Sequence, residues 1–133
     1  MENKELLTGV RKCLQDCVRV DLNEIQPDAR LIDDLGADSL DLLDITFSLE
    51  RHFGIKIKRG EIERIAREGI PPEEFEENGL LKPKGVERIR QALPEVPLDS
   101  IHEGMHTSQI PYLFTVETMA RIVERGLAEK QAS

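Results

Sequence analysis

Apolar residues recur at helical intervals near the start of the chain. Leu6, Val10, Cys13, Leu14, Cys17 and Val18 share one face, which predicts an amphipathic helix from Lys4 to Val18. A loop follows, with turn chemistry at Pro27 and Asp28 before Leu31. A second period begins beyond an acidic run. Leu42, Ile45, Leu49 and Phe53 should face inward on a helix ending near Phe53, with Asp41, Asp44 and Arg51 outward and Gly54 as terminator. Either Asp38 or Ser39 suits its N-cap. At the far end Val116, Met119, Ile122, Val123 and Leu127 form a third stripe, on a helix capped by Thr115 and reaching about Ala128. Three such helices, with a long loop after the first, predict a small antiparallel bundle.

Between Lys58 and Phe114 the chain changes character. Arg59 to Glu68 reads as a helix through Ile62 and Ile65, ended by Gly69. Pro71 and Pro72 suit the first turn of a short helix through Phe75, stopped near Asn78-Gly79. Lys84 to Leu93 is helical again, with Val86, Ile89 and Leu93 apolar. Pro94 to Tyr112 carries three prolines and little periodicity and reads as a loop or a covering arm. No internal repeat stands out.

Composition narrows the class. With 4% aromatic residues and no tryptophan, the core must be Leu, Ile and Val, and the fold class is all-α. A formal net charge of −8 disfavours nucleic acid and anionic membranes and favours partners that present basic patches. No apolar run approaches the ~20 residues of a bilayer span, and Met1-Glu2-Asn3-Lys4-Glu5 lacks the layout of a secretion signal. Cys13 and Cys17, four apart on one helix, do not suggest a disulfide framework. The expectation is a cytoplasmic monomer.

The segment with the most chemistry is Gly36-Ala37-Asp38-Ser39-Leu40, preceded by Leu31-Ile32-Asp33-Asp34-Leu35 and followed by Asp41-Leu42-Leu43-Asp44. It places a serine at a helix N-terminus, where N–H groups point outward and the helix dipole favours an anion, so a phosphate ester would be well placed. The plain alternative is a capping serine. Cys13-x3-Cys17 with His102-x3-His106 offers four potential zinc ligands, but these cysteines lie on a core-facing stripe. The acids at Asp33, Asp34, Asp38 and Asp41 do not match a calcium loop. No nucleophile with a recognisable base and no glycine-rich phosphate loop is present, so the residues themselves offer no recognisable catalytic site.

These residues, with Phe53-Gly54-Ile55 at the end of the second helix and the distal Thr115-Val116, resemble the acyl carrier proteins. The resemblance covers Leu6 to about Ile57 and Thr115 to about Leu127. It implies 4′-phosphopantetheine attached to Ser39 and an acyl chain held on it as a thioester, sheltered between helices. It also implies a partner-reading surface at Asp38, Leu40, Asp41, Asp44 and Phe47. The partners implied are a phosphopantetheinyl transferase and acyl-transferring, fatty-acid biosynthetic enzymes with basic docking patches. Arg51 and His52 interrupt the acidic stripe usual in the family. The long 58–114 region is similar to the specialised carriers of very long acyl chains for lipid A, and it should enlarge or cover the acyl pocket or dock dedicated partners. On this reading the chain is one carrier domain, with a core at 4–57 and 115–128 and an inserted helical region at 58–114. The alternatives are a polyketide, peptidyl or aminoacyl carrier, and an unmodified acidic helical adaptor.

Overall fold

The computed structural model describes residues 3–58 and 60–132. Arg59, the expected start of the third helix, lies outside the described residues. By internal contacts the chain divides into two units, Met1–Ile57 with Phe114–Ser133, and Lys58–Leu113.

The first unit is built on α1 (Asn3–Val18), α2 (Ser39–Phe53) and α6 (Val116–Ala132), each packed on the other two. The inward stripes are those expected: Leu6, Val10, Cys13 and Leu14 from α1, Ile45, Leu49 and Phe53 from α2, and Val116, Met119, Ile122 and Val123 from α6 are all buried. Cys17 and Val18 of α1, Leu42 of α2 and Leu127 of α6 are only half-buried. α1 runs antiparallel to α2. Gly9 lies so close to Phe53 that a Cβ there would stand 2.7 Å from the ring. One turn on, Cys13 Sγ lies 3.9 Å from the Ser48 carbonyl. α6 ends four residues beyond its expected end at Ala128.

The long loop after α1 is pinned at both ends. Arg11 donates to the Ile25 carbonyl at 2.8 Å and to that of Leu22, fixing a 3₁₀ turn at Leu22–Glu24 under buried Ile25. Further on, the loop supplies carbonyls to the start of α6: the Val116 N–H donates to Ala29 at 3.0 Å and the Glu117 N–H to Pro27 at 2.9 Å. The Thr118 N–H donates to Thr115 Oγ1 at 3.1 Å, and the Thr115 N–H to Thr118 Oγ1 at 3.0 Å. A helix start would otherwise leave these donors unsatisfied, so the expected Thr115 cap also ties the two sequence-distant parts of this unit together.

The second unit contains α3 (Glu61–Arg67), α4 (Pro72–Phe75) and α5 (Pro83–Ala92), with α3 and α4 packed on α5. Fully buried Phe75 lies beneath the Arg67 guanidinium, 4.3 Å from the ring centre. After α4 the chain makes a small antiparallel hairpin, β1 (Glu76–Glu77) with β2 (Leu80–Leu81), in the register Glu76↔Leu81 and Glu77↔Leu80. Both turn residues, Asn78 (φ 54°) and Gly79 (φ 84°), are left-handed, as a two-residue hairpin turn requires. Pro94 to Tyr112, expected to be a loop or a covering arm, is packed structure. It forms 3₁₀ segments at Leu98–Ser100 and Thr107–Leu113 and buries Val96, Ile101, Met105 and Ile110. The prolines break helical periodicity but leave short turns possible. Residues 104–107 also lie along the free edge of β2, through Leu81 N–H to Met105 O (2.8 Å) and Thr107 N–H to Gly79 O (2.8 Å).

Candidate functional site

The segment before α2 is shaped by a compact turn. Asp34 Oδ2 accepts from the Arg30 N–H at 2.8 Å, with the Arg30 guanidinium 3.4 Å away and also 3.4 Å from Asp33. The Arg30 N–H, and then its side chain, hold the Asp34 carboxyl below its ordinary range. Buried Leu31, Leu35 and Ala37 anchor the turn to the core, and Gly36 (φ 76°) adopts the left-handed conformation that reverses the chain.

Asp38 then caps the helix. Its Oδ1 accepts from the Asp41 N–H at 2.9 Å, while Asp41 Oδ2 accepts from the Asp38 N–H at 3.1 Å, a reciprocal capping box. The choice left open by the sequence is therefore settled: Asp38 is the cap and Ser39 is the first helical residue, exposed. Among the described residues nothing hydrogen-bonds the Ser39 hydroxyl, and the backbone N–H groups of Ser39 and Leu40 meet no acceptor. A hydroxyl is thus presented to solvent beside two open N–H donors at the positive end of a helix. That arrangement can receive a phosphodiester.

The other expected site residues lie along the same helix. Leu40 is 71% exposed and Phe47 47% exposed, with Asp44 exposed between them. Leu43, absent from the expected set, is 46% exposed and completes the row Leu40-Leu43-Phe47. Its spacing from Leu40 and Phe47 was the available signal, since the inward stripe through Ile45 and Leu49 leaves Leu43 outside the core. Asp38 and Asp41 are half-occupied by capping, which leaves Asp44 as the acid most free to meet a partner. On the facing side of α1, burial and then the Asp44 carboxylate push the Cys17 thiol up from its ordinary value.

Among the described residues, two grooves of the first unit lie away from Ser39. One, of about 290 Å³, is lined by Gly54, Ile55, Lys56, Gly126, Glu129 and Lys130. The other, of about 400 Å³, lies between the start of α1 and His52. Among the described residues no group of three or more His, Cys, Asp or Glu side chains is assembled to hold a metal, and no helix is long and apolar enough to cross a membrane.

Comparison with known proteins agrees with this geometry. Residues 8–78, more than half of the chain, match the family model described as phosphopantetheine attachment site. The chain is 38% identical over 66 residues to an acyl carrier protein of Thermotoga maritima, covering 50% of this chain and 82% of that one. It is 48% identical over 48 residues to the acyl carrier protein AcpXL of Mesorhizobium japonicum, covering 36% of this chain and 52% of that one. To the acyl carrier protein AcpXL of Brucella melitensis it is 40% identical over 67 residues, covering 50% and 72%. The chain belongs to the acyl carrier proteins, which bear phosphopantetheine and hold acyl groups for biosynthetic enzymes rather than transforming them.

Proposed function

We propose that Ser39 is the residue that carries the phosphopantetheine arm, and that the Leu40-Leu43-Phe47 row with Asp44 is the face that enzymes read. The observation that carries this reading is the division of labour at the start of α2. Asp38 does the capping, so the Ser39 hydroxyl has no structural duty and stands open. When attached, the arm supplies a thiol on which an acyl group is held as a thioester. The chain's own part is to present that hydroxyl, to leave two N–H donors for the phosphate, and to offer a partner a small apolar row beside carboxylates. Such a face favours fast, salt-sensitive and short-lived encounters. The workplace is the cytoplasm, with basic-patched acyl-transferring enzymes and a phosphopantetheinyl transferase as partners.

Incubation with a phosphopantetheinyl transferase and coenzyme A, followed by intact-mass measurement, tests the site. One added phosphopantetheine group is expected on the native chain and none on Ser39→Ala. An unchanged mass for the native chain, or equal labelling of Ser39→Ala, overturns it.

The cargo we assign is a long acyl chain of the lipid A type. Support comes from the two relatives named AcpXL and from the extra unit at 58–113. Each sheltered methylene stabilises the loaded form by about 0.8 kcal/mol before ordering costs. Loading a series of chain lengths and measuring Tm should show stability rising well into the long-chain range. A plateau at short chains, or preferential loading with amino or malonyl groups, would move the protein to another carrier class.

A further inference from the structure

The groove between α1 and the end of α2 lies at the opposite end of the carrier unit from Ser39. It is lined by Lys4, Glu5, Thr8, Gly9, Lys12 and His52, and its wall is mostly carbon. The carbon comes from the lysine stems and the backbone at Gly9. The His52 ring stands edge-on to Phe53, 4.7 Å between centres, and closes one side. Lys4 and Lys12 are exposed, and no ion pair among the described residues engages either ammonium. Glu5 is the one acid on the lining. An apolar trough with cationic edges is unusual on a chain of net charge −8.

Its complement is present on the same chain. The row Leu40-Leu43-Phe47 is an apolar ridge, exposed by 71%, 46% and 47%, edged by Asp44 and Asp38. We propose that the Lys4/Lys12/His52 groove receives the Leu40-Leu43-Phe47 ridge of a second copy of this chain, in a weak head-to-tail contact. Apolar side chains would enter a carbon-walled trough while Asp44 meets lysine. The two surfaces differ, so the contact is heterologous and leaves a ridge open at one end and a groove open at the other. A three-residue ridge makes a small, transient contact, and the acidic chains repel one another, so association depends on concentration and salt. While it lasts, the ridge beside Ser39 is covered and withheld from enzymes. This inference needs no modification at Ser39, so it stands or falls separately from the assignment of the arm.

Sedimentation velocity on the full chain, with reductant present and protein raised to roughly 1 mM at low ionic strength, provides the test. The native chain should associate progressively, and added salt should reverse this. Lys4→Glu with Lys12→Glu should abolish the self-association, as should Leu43→Ser with Phe47→Ser. All four positions are exposed or lysine side chains at the surface, so folding should persist, checked by circular dichroism. The decisive arm mixes the two double variants: one keeps a ridge, the other a groove, and together they should form a 1:1 pair and nothing larger. A native chain that stays monomeric throughout overturns the proposal, as does a mixture that behaves as the sum of its parts. Sodium laurate that shifts the Lys12 and His52 NMR signals, with no association between chains, would likewise overturn it by assigning the groove to an anionic amphiphile.

Discussion

In the carrier unit, Gly9 brings α1 against Phe53, and Arg11, two residues on, reaches the carbonyls of Leu22 and Ile25. In the 58–113 unit, Gly85 brings α5 against Phe75, and Arg90 reaches the carbonyls of Leu98 and Ile101, at 3.1 and 2.7 Å. Each helix is followed by a 3₁₀ turn that opens on an exposed leucine and closes on a buried isoleucine. The two regions part after that isoleucine. In the carrier unit the chain continues through the Arg30–Asp34 turn to the capping box and leaves Ser39 in solvent. In the other unit it returns at 104–107 to lie along β2, and its polar backbone is consumed in pairing. The same way of anchoring a loop thus serves once to present a residue and once to close a fold.

The largest expected effect separates the two units energetically. Phe75→Ala empties the centre of the 58–113 unit and should cost it about 3–5 kcal/mol. Hydrogen exchange should show protection lost across α3, α4 and α5, with labelling by the transferase retained. Loss of labelling together with protection would mean that the presenting unit depends on the closed one.

The glycine contacts differ in what they touch. At Gly85 a Cβ would stand 2.1 Å from the Phe75 carbonyl oxygen, which is backbone and cannot step aside. At Gly9 it would meet the edge of the Phe53 ring, which can tilt. Gly85→Ala should therefore cost about 1–3 kcal/mol in denaturant unfolding, and Gly9→Ala measurably less. Equal costs would show that the Phe53 ring is held as firmly as a peptide. Smaller again is Asp38→Ala, which removes the cap of α2 at about 1 kcal/mol. It should raise exchange at Asp41 while leaving the 58–113 unit unchanged.

How much of this could be read from the sequence follows the same division. The carrier unit's helices are long, amphipathic and punctuated by Gly54 and Thr115, so periodicity and end signals located all three and their inward faces. The place of Ser39 at the mouth of a helix was legible because acids, glycine and helix start converge on it. The capping choice was not, because Asp38 and Ser39 are both good caps and only the hydrogen bonds decide between them. In the 58–113 unit the signals were weaker. Asn78-Gly79 joins strands of two residues each, too short to show alternation. Pro94, Pro97 and Pro111 erase helical period from a stretch that still buries Val96, Ile101, Met105 and Ile110. The recurring arginine device was hidden as well. Arg90 sits three residues further from its glycine than Arg11 does, close to one helical turn, so the side chains reach equivalent carbonyls from positions that do not align.

The finest contrast between the units is in the sign of their response to acid. Asp34, before the carrier helix, is held below its ordinary value of 3.8 by the Arg30 N–H and guanidinium. Its contribution is complete above that value and is lost as the pH falls through the lowered one. Glu63, half-buried in α3, is pushed above its ordinary value of 4.5 by burial, partly offset by Arg67 and reinforced by Glu76. Its contribution is complete below that value and is lost as the pH rises through the raised one. Below 3.8 for Asp34 and above 4.5 for Glu63, these two groups therefore act in opposite directions. Urea midpoints followed by NMR signals from each unit should show Asp34→Asn flattening the carrier unit's loss at the acid end. Glu63→Gln should flatten the other unit's loss on the way to neutrality. Both effects are small because both groups meet water. A pair of variants that shift the two units' midpoints in the same sense would mean that burial does not govern Glu63, and that Arg67 outweighs it.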